Sequence, residues 1–183
     1  MGLLRVVLVP AGSPPHKLSG PRASAVDRLA MARIAIEGIR SLEVSDIETR
    51  REGPSYTVDT VRSLARDLGA GVRLVLLLGT DALRDLPTWR DVGGIFRVAE
   101  PAAVGRPGAG EVDWEALAGA LPEELVRRAR ANFVTLDRGL DVSSTEVRRR
   151  LAGGEPVAGL LAPAVERYIR ERGLYGTRST VDQ

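Results

Sequence analysis

Apolar positions change their spacing regularly along the chain, and this predicts strands alternating with helices. Short apolar runs predict strands at 4–9, 42–47, 72–78, 95–106 and 133–136. Apolar residues at helical spacing predict helices at 24–37, 112–130, 144–152 and 163–172. They predict one further helix, which is capped by Ser55 or Thr57 and ends at residue 68. This order is typical of an α/β fold with a doubly wound parallel sheet, where ligands bind beyond the carboxyl ends of the strands.

Two of these segments carry more detailed expectations. In the helix at 24–37, the residues spaced to form an apolar stripe are Val26, Leu29, Ala30 and Ile34. The run 72–78 is apolar without alternation, so we expect a strand that is covered on both faces, as in the interior of a parallel sheet.

Candidate site residues follow several of the predicted strands. The only histidine, His16, lies beside the only lysine, Lys17, in a Pro/Gly-rich loop after the first strand. Asp81 follows the apolar strand 72–78, and Arg106 follows the next strand. Turns need glycine, proline and aspartate in any case, so each of these loops is either a site or an ordinary turn.

The start of the helix at 144–152 is more specific. Hydroxyls of Ser144 and Thr145, together with free backbone N–H groups, can hold a phosphate, and Arg148 one turn later can reach the same anion. Ser143 and Glu146 also have the spacing of a capping box. Both interpretations stay open, since a capped helix can still bind a phosphate.

Two aromatic residues lie close to these loops. Trp89 follows a Leu-Pro-Thr corner, and Tyr56 precedes the helix that ends near residue 68. Either ring can anchor the core or stack on a flat ligand. A core anchor is the default for an aromatic residue, but aromatic residues make up only 4% of the chain, and the position of Trp89 near a strand end gives stacking more weight than usual.

Composition narrows the class of protein. With 183 residues and 44% hydrophobic content, we expect one domain over 1–176 and a polar tail at 177–183. The absence of cysteine fits a cytoplasmic protein, and no apolar run reaches the roughly 18 to 20 residues of a membrane span. Nearly all cations are arginines, which suits nucleotide ligands or reflects genomic bias, and no basic-aromatic surface indicates nucleic-acid binding.

Seven collinear motifs cover nearly the whole chain. They are VPAGSPPHK (9–17), DRLAM (27–31), VSDIE (44–48), PSYTVDT (54–60), GTDAL with LPTW (79–89), SSTEVR (143–148) and YIRERGLY (168–175). In this order they resemble the bacterial nicotinate-nucleotide adenylyltransferase family of the nucleotidyltransferase superfamily, which has a Rossmann-like fold.

The resemblance implies a role for each candidate residue. Those expected at the mononucleotide are His16 and Lys17 in the substrate pocket, Tyr56 and Thr57 as contacts, and Trp89 stacked on the nicotinate ring. Those expected to bind ATP are Asp81 at the ribose, Arg106, and the phosphate-binding residues Ser144, Thr145 and Arg148.

The implied reaction is attack by the phosphate of nicotinate mononucleotide on the α-phosphorus of ATP. It yields deamido-NAD and pyrophosphate, a step of NAD biosynthesis. Both substrates are anions, so the protein must position them in line and neutralise charge, with Mg²⁺ on the polyphosphate and no covalent nucleophile. Chain length and motifs leave the oligomeric state open, and a homo-oligomer is compatible with them.

The resemblance is incomplete at the start of the chain. Family members begin with a strand, a Gly-Gly-x-Phe-Asp-Pro loop and a His-x-Gly-His motif, and this sequence contains none of them. In a sheet of order 3-2-1-4-5 the first strand is central, so without it we expect two strands to lose their shared neighbour. We also expect little activity and marginal stability, and the catalytic groups are left unassigned.

Three explanations of this difference are open. Met1 is an internal methionine of a longer enzyme, which the well-preserved downstream motifs favour. Alternatively, the chain is a mononucleotide-binding protein without catalysis. Third, it is an adenylyltransferase for another phosphorylated small molecule, which the motifs at Tyr56 and Trp89 disfavour. A preference for nicotinate over nicotinamide mononucleotide is not decided by these motifs.

Overall fold

The computed structural model describes residues 4–13, 23–105, 110–136 and 143–177. Contacts between residues group the chain in two compact units, one of Met1–Ser55 with Val142–Gln183 and one of Tyr56–Asp141. Each unit has its own parallel sheet and apolar core. A single nucleotidyltransferase domain over 1–176 stays a prediction, and the predicted tail lies outside the described residues beyond Thr177.

The described elements alternate as the apolar pattern predicts. The strands are β1 (Val6–Leu8), β2 (Leu42–Val44), β3 (Leu74–Gly79), β4 (Ala99–Gly105) and β5 (Phe133–Thr135). The helices are α1 (Ala25–Ala35), α2 (Thr57–Leu68), α3 (Thr80–Asp85), α4 (Val92–Val98), α5 (Trp114–Ala120), α6 (Glu123–Ala131), α7 (Ser144–Ala152) and α8 (Pro163–Glu171). Short 3₁₀ turns at Leu86–Thr88 and Leu174–Gly176 complete the list.

All described strand pairs are parallel, which confirms the α/β class. One sheet pairs β1 with β2, and the other has the order β3-β4-β5.

The unit of residues 56–141 has its core between the sheet and the helices that cover it. Val58 and Val61 of α2 pack there with Leu78 of β3 and Ile95 of α4, and all four are at most 5% exposed. Burial of such a side chain stabilises the fold by roughly 1.5–3 kcal/mol. At the far strand, Trp114 meets Phe133 edge to face, with ring centroids 5.6 Å apart.

The other unit is built on α1, α7 and α8. The buried residues of its apolar cluster are Val147, Leu151, Val157, Val165 and Ile169, with Met31 and Ile34 of α1 packed against them. A carboxylate lies inside this packing, since Asp27 is only 5% exposed. Tyr168 donates its hydroxyl to Asp27 at 2.9 Å, and Arg172 lies 3.3 Å from the same oxygen, so this carboxylate joins α1 to α8.

Two expectations about exposed faces are wrong. Val26 is 69% exposed and does not belong to the buried stripe of α1, because Asp27 takes the buried position beside it. Leu77 of β3 is 45% exposed, so this strand is not covered on both faces in its unit. β3 is also an edge strand of the described sheet, which explains why one part of it lacks packing partners.

Several element boundaries also differ from the prediction. The run 95–106 begins as helix α4 and becomes strand β4 only at Ala99, because Asp91 caps a helix before it. The predicted helix at 112–130 is two helices, α5 and α6, with Pro122 at the N-cap of the second. Neither Ser55 nor Thr57 is the cap of α2, since Tyr56 holds that position without a side-chain hydrogen bond. Helix α3 was not predicted.

The end of the chain follows the prediction closely. α7 ends at Ala152 before Gly153, and α8 begins with Pro163 at its first turn. Gly173 has φ +60 directly after α8, a left-handed conformation that glycine adopts without steric cost.

The buried carboxylate of Asp27 leads to a pH-dependent prediction. The hydrogen bond from Ser24 is the main reason why the pKa of Asp27 lies below its ordinary value of 3.8, with Tyr168 and Arg172 adding to it. The charged form therefore stabilises the fold above the unfolded-state pKa, and this contribution is lost as pH falls through the lower folded-state pKa. Asp27→Asn should lower the free energy of unfolding at pH 7 by on the order of 1–2 kcal/mol.

Urea denaturation between pH 2.5 and 8 measures this effect. The difference between the wild type and Asp27→Asn should be constant above about pH 5 and should shrink below it. Asp67→Asn is the matched control, because Asp67 is exposed on α2 and makes no ion pair with any residue in the described ranges. A pH-independent difference for Asp27→Asn would show that its charge contributes nothing.

Candidate functional site

Asp81 lies directly beyond the carboxyl end of β3, as predicted. Gly79 ends the strand, and Thr80 starts α3 at the next residue, so Asp81 is in the first turn with an exposed carboxylate. Arg84, one turn later, donates to Asp81 Oδ1 at 3.4 Å. At this exposed pair the carboxylate can accept further hydrogen bonds from a ligand hydroxyl.

Tyr56, Thr57 and Trp89 belong to the same unit. Tyr56 is the N-cap residue of α2 and Thr57 is its first residue, while Trp89 ends the 3₁₀ turn that follows α3. Tyr56 and Trp89 are both half-buried and pack against the same apolar core. Each ring is therefore partly packed in the core and partly accessible, so it can anchor the core and also stack on a ligand.

Arg90 adds a cation to this aromatic pair, and sequence reasoning missed it. It follows Trp89 directly, and its Cζ lies 4.6 Å from the centroid of the Tyr56 ring. A guanidinium stacked on a ring uses its face and leaves its edge N–H groups available to an anion. The only signal in the sequence was a charged residue next to the Pro-Thr-Trp corner.

The corner after Arg90 is fixed by Asp91. This residue has φ +48, which is uncommon for a side chain other than glycine. Its carboxylate accepts from the backbone N–H of Gly94 at 2.9 Å and from Arg62 Nη2 at 2.7 Å. The Gly94 hydrogen bond, followed by Arg62, keeps the pKa of Asp91 below its ordinary value. Asp91 thus caps α4, joins it to α2, and holds the position of Trp89 and Arg90.

In the other unit, the loop after β1 is tightly held at its start. Ser13 N–H donates to Ser55 Oγ at 3.0 Å, and Ser55 N–H donates to Ser13 O at 2.8 Å. A Cβ at Gly12 would lie 2.2 Å from the carbonyl oxygen of Glu48, so only glycine fits there. The first residues of this loop are thus set by backbone contacts as well as by the strand.

Arg28 connects the described residues on both sides of the same loop. Its Nη2 donates to the carbonyl oxygens of Ala11 and Gly12, and its Nη1 donates to that of Ala23 at 2.6 Å. The resemblance included Arg28 among its motif residues without giving it a role. The structure gives it one, because its guanidinium joins the end of the β1 strand to the start of α1.

Three predicted site residues, His16, Lys17 and Arg106, lie outside the described residues. Their expected roles at the substrate pocket and at ATP stay predictions.

The start of α7 has the cap that its sequence predicts. Ser143 Oγ accepts from Glu146 N–H at 3.0 Å, while Ser144 and Thr145 are exposed in the first turn. Arg148 Nη2 donates to Thr145 Oγ1 at 3.3 Å. The predicted phosphate-binding residues therefore lie together at one helix end, and the capping and anion-binding interpretations are compatible in this geometry.

The other arginines of α7 are already paired with carboxylates. Glu146 accepts from Arg149 at 2.9 Å and from Arg150 at 2.7 Å, and these hydrogen bonds, that of Arg149 first, lower the pKa of Glu146 to about 2. Glu155 also pairs with Arg149. Arg148 makes no ion pair with a carboxylate in the described part of the chain, so its charge remains available to a ligand.

Metal-binding clusters and membrane-spanning helices are both absent from the described ranges. These ranges contain no group of three or more His, Cys, Asp or Glu side chains placed to hold a metal ion. Within the same residues, every helix is too short or too polar to cross a bilayer.

Comparison with known proteins gives consistent results. The Cytidylyltransferase-like family matches residues 1–150. A probable nicotinate-nucleotide adenylyltransferase of Chromobacterium violaceum is 41% identical over 185 residues, covering 96% of this chain and 86% of the relative. A protein of the same description from a Roseiflexus species is 44% identical over 174 residues, covering 93% and 82%.

Solved structures agree at the level of the fold. The nicotinic acid mononucleotide adenylyltransferase of Plasmodium falciparum in complex with NaAD superposes with a TM-score of 0.72. The two chains are 17% identical, and the match covers 94% of this chain and 82% of that one. At this identity the similarity shows a common fold, and it confirms the predicted Rossmann-like nucleotidyltransferase architecture.

The Asp91 corner can be tested by adding one methyl group. A Cβ at Gly94 would lie 2.1 Å from Asp91 Oδ2 and 2.6 Å from Arg62 Nη2. Gly94→Ala should therefore break the cap of α4 and lower the free energy of unfolding by about 1–3 kcal/mol in urea denaturation.

Gly93→Ala is the matched control for this prediction. It makes the same change one residue earlier in α4, where the nearest atom to a new Cβ is Arg97 Nη1 at 3.7 Å. Because alanine favours helix over glycine, this variant should be neutral or more stable by about 0.5–1 kcal/mol. Equal effects of the two substitutions would contradict the role given to Gly94.

Proposed function

The chain belongs to the nicotinate-nucleotide adenylyltransferase family, and from this premise we propose that it binds nicotinate mononucleotide and ATP and transfers the adenylyl group between them. The phosphate of the mononucleotide attacks the α-phosphorus, the bond from that phosphorus to the bridging oxygen of the β-phosphate breaks, and deamido-NAD and pyrophosphate form. We place this reaction in the biosynthesis of NAD and the protein in the cytoplasm.

The observation that carries the proposal is the charge pattern at the start of α7. Arg149 and Arg150 are neutralised by Glu146, whereas Arg148 reaches back to Thr145 with no carboxylate partner in the described ranges. A capped helix end with exposed hydroxyls and one uncompensated guanidinium is suited to a phosphate chain. We assign Ser144, Thr145 and Arg148 to the phosphates of ATP on this basis.

The mononucleotide is assigned to the aromatic pair of the other unit. Trp89 and Tyr56 have accessible rings on one apolar core, and Thr57 adds a hydroxyl beside Tyr56. An aromatic plate beside polar groups suits a pyridine ring carried on a ribose phosphate. Asp81, beyond the end of β3, is assigned to a ribose hydroxyl of ATP, and His16, Lys17 and Arg106 keep the binding roles that the family resemblance implies.

Mg²⁺ is proposed as a companion of ATP and not as a resident ion of the protein. It retains several waters and binds mainly through substrate phosphates, so it needs few protein ligands. The donor set fits this arrangement, because the exposed carboxylate of Asp81 is an oxygen donor of the kind that Mg²⁺ accepts beside substrate phosphates. When bound, the ion neutralises charge on the polyphosphate.

In this mechanism the described residues work by binding and orientation. Arg148 and the hydroxyls of Ser144 and Thr145 hold the polyphosphate, while Trp89 and Tyr56 fix the pyridine ring and so the direction of the attacking phosphate. Correct placement of two anionic reactants supplies much of the rate enhancement in phosphoryl and nucleotidyl transfer. The groups that act directly on the α-phosphate are not assigned to residues of this sequence.

Separate binding measurements test the two ligand assignments. In isothermal titration calorimetry, Trp89→Ala should weaken the binding of nicotinate mononucleotide by roughly 5- to 100-fold, since stacking on an aromatic side chain contributes about 1–3 kcal/mol per base. Arg148→Gln should weaken the binding of a non-hydrolysable ATP analogue by roughly 10-fold or more, because a charged hydrogen bond is lost. Each variant should leave the other ligand unchanged.

Arg167→Gln is the control for the charge change, because Arg167 is exposed on α8 of the same unit and has no carboxylate partner in the described ranges. Unchanged ATP-analogue binding by Arg148→Gln would refute the phosphate assignment. Pyrophosphate release with both substrates then tests the transfer itself. Binding of both ligands without release would support the alternative of a mononucleotide-binding protein, and equal release with phosphopantetheine would refute the substrate assignment.

A further inference from the structure

We propose that the guanidinium of Arg90 recognises the ring carboxylate of nicotinate mononucleotide and thereby selects it over nicotinamide mononucleotide. This inference rests on the proposed function, because it assumes that the pyridine ring lies at Trp89. It adds to that function a residue that decides which of two closely related mononucleotides is accepted.

Among the described residues, no carboxylate neutralises the charge of Arg90. The nearest carboxylate in the sequence, Asp91, is used by Arg62 at 2.7 Å and by the Gly94 N–H at 2.9 Å, with Arg97 at 3.8 Å. No other carboxylate of the described ranges lies within ion-pair distance of Arg90. An uncompensated guanidinium beside a proposed anion site is available to the ligand.

Tyr56 holds the guanidinium of Arg90 by a cation–π contact. Arg90 Cζ lies over the Tyr56 ring, 4.6 Å from its centroid, and such a contact uses none of the N–H donors in a hydrogen bond to a carboxylate. Those donors form a planar fork that matches a carboxylate in two parallel hydrogen bonds. Stacking therefore prepares Arg90 for an anion before the ligand arrives, which reduces the entropy lost on binding.

Tyr56, Trp89 and Arg90 lie close together in one unit. Trp89 and Tyr56 pack on the same core, and Arg90 links them, since it is bonded to the first and stacked on the second. Asp91 holds this corner through its cap of α4. A pyridine ring at Trp89 thus lies beside the cation.

The chemistry of the two mononucleotides makes the consequence specific. They share ribose and phosphate, and they differ only in that nicotinate carries a carboxylate where nicotinamide carries an amide. The two carboxylate oxygens accept two hydrogen bonds from the guanidinium. The amide has only one oxygen acceptor, and its NH₂ group is a donor that faces the N–H donors of the guanidinium. Loss of Arg90 should therefore lower the affinity for nicotinate mononucleotide and leave the affinity for nicotinamide mononucleotide unchanged.

The test compares both ligands on the same variants by isothermal titration of the full chain. Arg90→Met keeps the aliphatic part of the side chain and removes the charge. It should weaken the binding of nicotinate mononucleotide by roughly 10- to 100-fold and leave the affinity for nicotinamide mononucleotide unchanged. Arg90→Lys should recover part of the loss, because it restores the charge without the fork. Unchanged binding of nicotinamide mononucleotide also shows that the variant is folded.

Arg66→Met is the matched control. Arg66 lies in the last turn of α2, roughly 15 Å along the helix from Tyr56, and makes no ion pair with a residue in the described ranges. It should change neither affinity. Equal weakening of both mononucleotides by Arg90→Met would overturn the inference, since it would point to the shared phosphate or to a general role of Arg90. A wild type that binds neither ligand would refute the proposed function itself, and with it this inference.

Discussion

Parallel pairing of the strands is the constraint on which the described structure depends. Register between β3 and β4 runs from Leu74 opposite Ala99 to Gly79 opposite Val104, so both strands end at the same edge. The same holds for β1 and β2 in the other unit. Parallel strands need crossover helices, and each helix must start where a strand has ended. This geometry positions the start of α3 at Thr80 and with it Asp81, and together with backbone contacts it positions the loop start at Gly12.

Several arginines fall into two groups, according to what their guanidinium groups contact. Arg62, Arg149 and Arg172 are bound to the carboxylates of Asp91, Glu146 and Asp27; the Arg62 and Arg172 pairs join helices, and the Arg149 pair lies within α7. Arg90 and Arg148 instead contact an aromatic ring and a hydroxyl, neither of which neutralises a cation, and neither arginine forms an ion pair within the described residues. Because an uncompensated charge favours an anionic ligand, the second group is the one that relates to function.

The sequence predicted the class of the fold and most of its elements, because apolar spacing reflects burial directly. α7 and α8 agree almost to the residue, since glycine and proline mark their ends. The segment 95–106 was misjudged because Ile95, Phe96 and Val98 suit a strand as well as a helix, and the deciding contact is the cap made by Asp91. The exposure of Val26 and Leu77 depended on packing partners, which no local pattern contains.

The family motifs mix two kinds of residue, and only the structure separates them. Asp27 and Tyr168 belong to motifs at opposite ends of the chain, yet they meet in a buried hydrogen bond that joins α1 to α8. Arg28 likewise contacts backbone carbonyls. These residues hold the scaffold, whereas Tyr56, Trp89 and Arg148 present accessible groups. Substitution in the first group should act on stability and in the second on ligand affinity, so a motif residue's burial and partners decide what it contributes to function.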